Sequence, residues 1–136
     1  VYVGDTDESA LRDAKVHFEV FRNRFLKMPF EMILPPGYTS RESMKGIMAA
    51  KGQIAGEISA EQAIELGMFF CGSAATVRQS IEHYWKDMRF DNLLTMCQFG
   101  SLPEDLTRRN MELFARDVLP SVQALKSGAR VNAFAA

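Results

Sequence analysis

The chain has 136 residues, about the length of one domain, and its composition is that of an ordinary globular protein, 47% hydrophobic and 24% charged. Sixteen Lys and Arg against seventeen Asp and Glu give a net charge of −1, which leaves no electrostatic footprint for nucleic acid or an anionic membrane. Apolar runs such as Leu66 to Cys71 fall far short of the roughly 20 residues that span a bilayer. The two cysteines, Cys71 and Cys97, have neither metal spacing nor a disulfide framework, so a reducing cytoplasm is expected, with both thiols buried as small hydrophobes.

Val1-Tyr2-Val3-Gly4 reads as a strand with no Met and no lead-in, which suggests that the sequence is cut from something longer. Asp5-Thr6-Asp7-Glu8 supplies an N-cap and first-turn acids. Leu11, Ala14, Phe18, Phe21 and Phe25 then recur at three- and four-residue steps, which predicts an amphipathic helix of about 18 residues. His17 sits beside that stripe and reads as structural or solvated. Pro29 through Tyr38 is a loop, because Pro35-Pro36-Gly37 continues neither helix nor ladder. Thr39-Ser40-Arg41-Glu42 has the capping-box pattern and opens a short helix through Met44, Ile47 and Met48. Glycines at 46, 52 and 56 make this the least rigid part of the chain. Ser59 with Gln62 caps another short helix that ends near Gly67.

Met68 to Cys71 is a short apolar run, expected as a strand buried on both faces. After Gly72-Ser73 a helix carries Val77, Ile81, Tyr84 and Met88 on one face. Leu93 to Cys97 is expected as a further buried strand, stopped by Gln98-Phe99-Gly100. The last helix opens around Pro103-Glu104, buries Met111, Phe114, Val118, Val122 and Leu125, and kinks at Pro120. Residues 127–136 are expected to fray. The order predicts an α/β fold, mainly helical, with two or three short parallel strands. Residues 69–71 and 93–97 are expected as neighbouring parallel strands, with the helices from 73 and 103 on one side. So small a sheet cannot cover its own edges, which implies a larger barrel or sheet.

Four segments carry a resemblance to the luciferase-like, flavin-dependent monooxygenases. Val1-Tyr2-Val3-Gly4-Asp5-Thr6-Asp7-Glu8-Ser9-Ala10 is similar to the strand and small-D-T-D-E-x-A-R turn found late in that family. Cys71-Gly72-Ser73-Ala74-Ala75-Thr76-Val77 resembles the G-[ST]-P-E-x-V turn after the seventh barrel strand, with Ala74 in place of the usual proline. Phe90-Asp91-Asn92-Leu93-Leu94 through Gln98-Phe99-Gly100 looks like the eighth strand. Met111 through Pro120 resembles the F-x-x-E-V-[ML]-P close of the final helix. The match covers nearly the whole chain in order, and it implies the C-terminal third of a (β/α)8 barrel, 1–136 being one partial domain.

The resemblance implies a parent that uses reduced FMN and molecular oxygen on a small organic substrate, with its catalytic residues before Val1. Two other readings stand beside it: hydride transfer with the deazaflavin F420 on the same barrel, and a non-enzymatic helical oligomerisation domain. Barrel sites lie at the C-terminal ends of strands, so Gly72, Ser73, Gln98, Phe99 and Gly100 are the pocket candidates. Free N–H groups after Gly72-Ser73 could hold an anion; the alternative is that Ser73 only caps its helix. Residues 37–58 stand where the family carries a mobile lid, with Lys45 and Lys51 as lid candidates, or as merely solvated lysines. His17 and His83 have no ligand spacing, and no metal site is expected. Stripes such as Leu11/Phe18/Phe25 and Val77/Ile81/Met88 would stay partly exposed in a truncated barrel, which predicts a homo-oligomer. No cofactor is expected to bind the chain alone.

Overall fold

The computed structural model describes residues 1–26, 37, 39–49 and 56–125. Lys51, most of the expected loop at 29–38 and the tail at 127–136 lie outside them. The described part is mainly helical around one two-stranded parallel sheet. Strand β1 (Tyr2–Gly4) pairs with β2 (Cys71–Ser73), setting Tyr2 opposite Cys71, Val3 opposite Gly72 and Gly4 opposite Ser73. The α/β class read from the alternating pattern is what the chain adopts.

Helix α1 (Asp7–Val20) starts where expected. Thr6 is its N-cap, with the Ser9 amide donating to Thr6 Oγ1 at 3.1 Å and the Thr6 amide donating to Ser9 Oγ at 3.0 Å. The helix continues through a π-helical turn, Phe21–Phe25. That wider turn carries the stripe round the axis. Ala14 and Phe18 are therefore buried while Phe25, expected on the same face, is 63% exposed. Helix α2 (Arg41–Ala49) is capped by Ser40, whose Oγ accepts the Ser43 amide at 3.1 Å. Helix α3 (Ala60–Glu65) has the full Ser59–Gln62 capping box.

The strand expected at Met68–Cys71 begins later. The Met68 and Phe69 amides donate to the Ala63 carbonyl at 2.8 and 3.1 Å, so this stretch closes α3, and Met68 is 55% exposed. Helix α4 (Ala74–Met88) buries Val77 and Ile81 but leaves Met88 63% exposed. A strand of three residues covers about 10 Å and a helix of fifteen about 22 Å, so the last turn overruns the sheet. Helix α5 (Glu104–Leu113) opens after Pro103 and passes through a π-helical turn, Phe114–Val118, into α6 (Leu119–Gln123). The irregularity expected at Pro120 is that turn, placed just before the proline, whose ring and missing N–H disfavour a regular preceding turn. Met111, expected in the core, is 54% exposed, and Asn110 takes the buried position.

Residues 93–97 are not a strand. No ladder is assigned to them, Leu94 is 97% exposed and Met96 50%. Their expected neighbour, the strand around residues 69–71, pairs instead with β1 as β2, and the other edge of β1 is filled by a side chain. Asn110, fully buried, accepts the Val3 amide on Oδ1 at 2.8 Å and donates through Nδ2 to the Val1 carbonyl at 3.0 Å. Straddling Tyr2 in this way is what a residue of a neighbouring parallel strand does. The same Nδ2 donates to the Cys97 carbonyl at 2.8 Å.

Side chains alternate across β1. Tyr2 and Cys71 pack with Ala10, Ala14 and Phe18 of α1, Ala60 and Ala63 of α3, and Phe99. Val3 packs with Val77 and Ile81 of α4 and with Phe114 and Val118. The helices from 73 and 103 thus share one face, as expected, and α1 covers the other. A closed barrel keeps its helices in an outer ring, whereas this sheet is covered on both faces. The stripe residues Phe18, Val77 and Ile81 are buried within the single chain.

Candidate functional site

The C-terminal ends of β1 and β2 lie side by side, and three polar residues meet there. Asp7, in the first turn of α1, accepts the Ser73 amide on Oδ1 at 2.6 Å and the Thr76 hydroxyl on Oδ2 at 3.0 Å. Ser73 Oγ accepts the Thr76 amide at 3.4 Å, so Ser73 caps α4. The Ser73 amide, and after it the Thr76 hydroxyl, hold the Asp7 carboxyl below its ordinary range. A β-carbon on Gly72 would stand 2.7 Å from Asp7 Oδ1 and 2.9 Å from Thr76 Cγ2, which is why this position has none. The anion favoured at a helix start is here the protein's own carboxylate. A phosphate arriving at Gly72-Ser73 would meet that negative charge, so the residues present do not form a flavin-phosphate seat while Asp7 is in place. Sequence reading took Asp7 only as a first-turn acid, because its contact with Ser73 spans 66 residues and leaves no local pattern.

The second group of candidates lies elsewhere. Gln98 is exposed. Phe99 is 2% exposed within an aromatic cluster, edge-on to Phe69 at 5.4 Å, Phe18 at 6.2 Å and Tyr2 at 6.4 Å. Gly100 has φ +56°, and a β-carbon on it would fall 2.3 Å from the His17 carbonyl oxygen. Ten residues of α1 separate Asp7 from His17, about 15 Å along the axis. Gly72 and Ser73 therefore sit at one end of α1, Gly100 near the other, and the structure does not bring the two groups together.

The remaining candidates are simple to place. Lys45 is exposed on α2. His17 Nδ1 lies 2.9 Å from Ser101 Oγ, and the His83 ring meets the Tyr84 ring edge-on at 5.3 Å. Burial pushes the Cys71 thiol up to about 12, so it is no thiolate nucleophile near neutral pH. Among the described residues no group of His, Cys, Asp and Glu could hold a metal, and no helix is long and apolar enough to cross a membrane. An open groove of about 220 Å³ runs between Val1, Met68, Phe70, Leu93, Leu94 and Met96, on the stretches that lead into the strands, with no charged side chain in its walls. Comparison of the chain with protein-family models, with curated proteins and with solved structures found no match in any of the three.

Proposed function

We propose that the chain is the C-terminal part of a luciferase-like flavin-dependent oxidoreductase whose parent uses reduced FMN and molecular oxygen on a small organic substrate in the cytoplasm. The observation that carries this reading is the contact between the first two resembling segments. The Asp7 turn after β1 and the Gly72-Ser73 turn after β2 bond directly through Asp7, Ser73 and Thr76. The other two segments join the same unit: Asn110, adjoining Met111, ties the Cys97 carbonyl to β1. Parallel strands whose C-terminal ends converge on a helix start are the part of a barrel that faces its site. When bound, the flavin supplies the oxygen chemistry. In this reading it is held mainly by residues before Val1, and Asp7 fixes the geometry of the two turns.

A second reading, a non-enzymatic interaction domain, is favoured by the covering of both sheet faces and by Asn110 at the β1 edge. One experiment separates them. The chain is expressed together with the reading frame that precedes Val1, then supplied with reduced FMN and oxygen, or with reduced F420 and an electron acceptor. FMN-dependent oxygen consumption is the expected result. F420 turnover would move the chemistry to hydride transfer, and a parent that binds neither flavin would leave the interaction domain.

A further inference from the structure

We propose that the groove between α1 and the stretch entering α3 binds the zwitterion of a small free amino acid with an apolar side chain. The proposal does not depend on the flavin reading. The groove is open, about 240 Å³ in volume, and walled by Val16, Glu19, Val20, Asn23, Arg24 and Glu57. Val16, Val20 and Arg24 recur at four-residue steps along α1 and its π-helical continuation, which sets them on one side of the helix. Glu57 comes from the opposite wall, and backbone bonds fix that wall in place. Asn23 Nδ2 donates to the Ile58 carbonyl at 3.0 Å, and Asn23 Oδ1 accepts the Ile58 amide at 3.1 Å. Just beyond, Glu19 Oε1 accepts the Ala60 amide at 3.1 Å. The two walls are thus clamped together beside the groove, which holds Arg24 and Glu57 within one site.

The charges of the groove say what fits it. Arg24 and Glu57 are both exposed, and among the described residues neither makes a hydrogen bond or an ion pair. A guanidinium and a carboxylate that share a groove without pairing match a ligand that carries both opposite charges. The planar fork of Arg24 takes the ligand's carboxylate through two parallel N–H donors, and Glu57 accepts its ammonium. A free amino acid carries both charges on one carbon, whereas a peptide separates them along its length. Val16, 62% exposed, and the half-buried Val20 supply an apolar surface for the side chain. The volume lies below the roughly 300–1,000 Å³ of ligand pockets in general, which limits the occupant to the size of one amino acid.

The test is isothermal titration calorimetry of L-leucine into the purified chain. Leucinamide, which lacks the carboxylate, and isocaproate, which lacks the ammonium, are titrated beside it. Wild type is compared with Arg24→Gln, Glu57→Gln and, as a control, Lys86→Gln on α4. All three side chains are exposed, so the substitutions leave the fold intact, and circular dichroism verifies this. The expected result is saturable millimolar binding of leucine by wild type, with each analogue weaker by about fivefold or more. Arg24→Gln is expected to lose the preference for leucine over leucinamide, Glu57→Gln the preference over isocaproate, and Lys86→Gln neither. Three results would overturn the proposal: no saturable binding at tens of millimolar leucine, a wild type that binds the analogues as well as leucine, or preferences that survive the Arg24 and Glu57 substitutions.

Discussion

Asn110 has both ends of its amide on backbone that no other strand reaches, and its removal strands the buried Val3 amide and the part-buried carbonyls of Val1 and Cys97. Unpaired buried polar groups cost about 1–3 kcal/mol each before relaxation, so Asn110→Leu is expected to lower stability by about 2–4 kcal/mol, read from urea denaturation. A loss below about 1 kcal/mol would mean that water or another donor replaces it. This residue left a trace in the sequence, since Asn110 lies in four-residue phase with Phe114 and Val118, a polar side chain in an apolar stripe. Asp7 left no comparable trace. Its carboxyl is held below the ordinary carboxylate value, so its contribution is present above the unfolded value near 3.8 and is lost as pH falls through the lower folded value. Asp7→Asn is therefore expected to be less stable than wild type at pH 7, by about 1 kcal/mol after solvent screening. The two proteins should converge as pH falls below the lowered folded value, and a gap that persists once the carboxyl is protonated would refute the carboxylate's role.

At the scale of elements, α1 joins the two halves of the described chain through a polar row as well as through its aromatic stripe. Lys15 Nζ meets Glu61 at 2.5 Å, Glu19 Oε1 accepts the Ala60 amide at 3.1 Å, and the Asn23 amide bonds both ways with the backbone of Ile58 at 3.0 and 3.1 Å. Asn23→Ala is expected to cost about 1–2 kcal/mol and to raise amide exchange at Ile58, whereas Lys15→Ala, which loses only an exposed and screened ion pair, should cost less. If the two substitutions cost the same, the row acts by charge and not through the backbone clamp. Helix starts were the most legible features, because a cap is a local pattern: Thr6, Ser59 with Gln62, and Pro103 all begin helices. Stripe ends were not legible. Phe25 closes a wide turn and Met88 lies past the edge of a short sheet, and both depend on what the helix rests against.

For the molecule as a whole, local pattern carried the α/β class, and tertiary geometry decided the rest. Residues 93–97 have the apolar content of a buried strand, but Asn110 holds the β1 edge and leaves them without a ladder. The two groups of candidate site residues, both taken from the ends of expected strands, lie about 15 Å apart along α1. Asp7 occupies the helix start at Ser73, and Phe99 lies inside the core. The central claim is that this chain supplies part of a flavin enzyme but not the flavin's seat. Its most direct test is a titration of FMN, followed by fluorescence quenching, into the purified 136-residue chain and into the longer parent side by side. The expected result is saturable binding by the parent and none at micromolar FMN by the chain; sub-micromolar binding by the chain, or no binding by the parent, would contradict it.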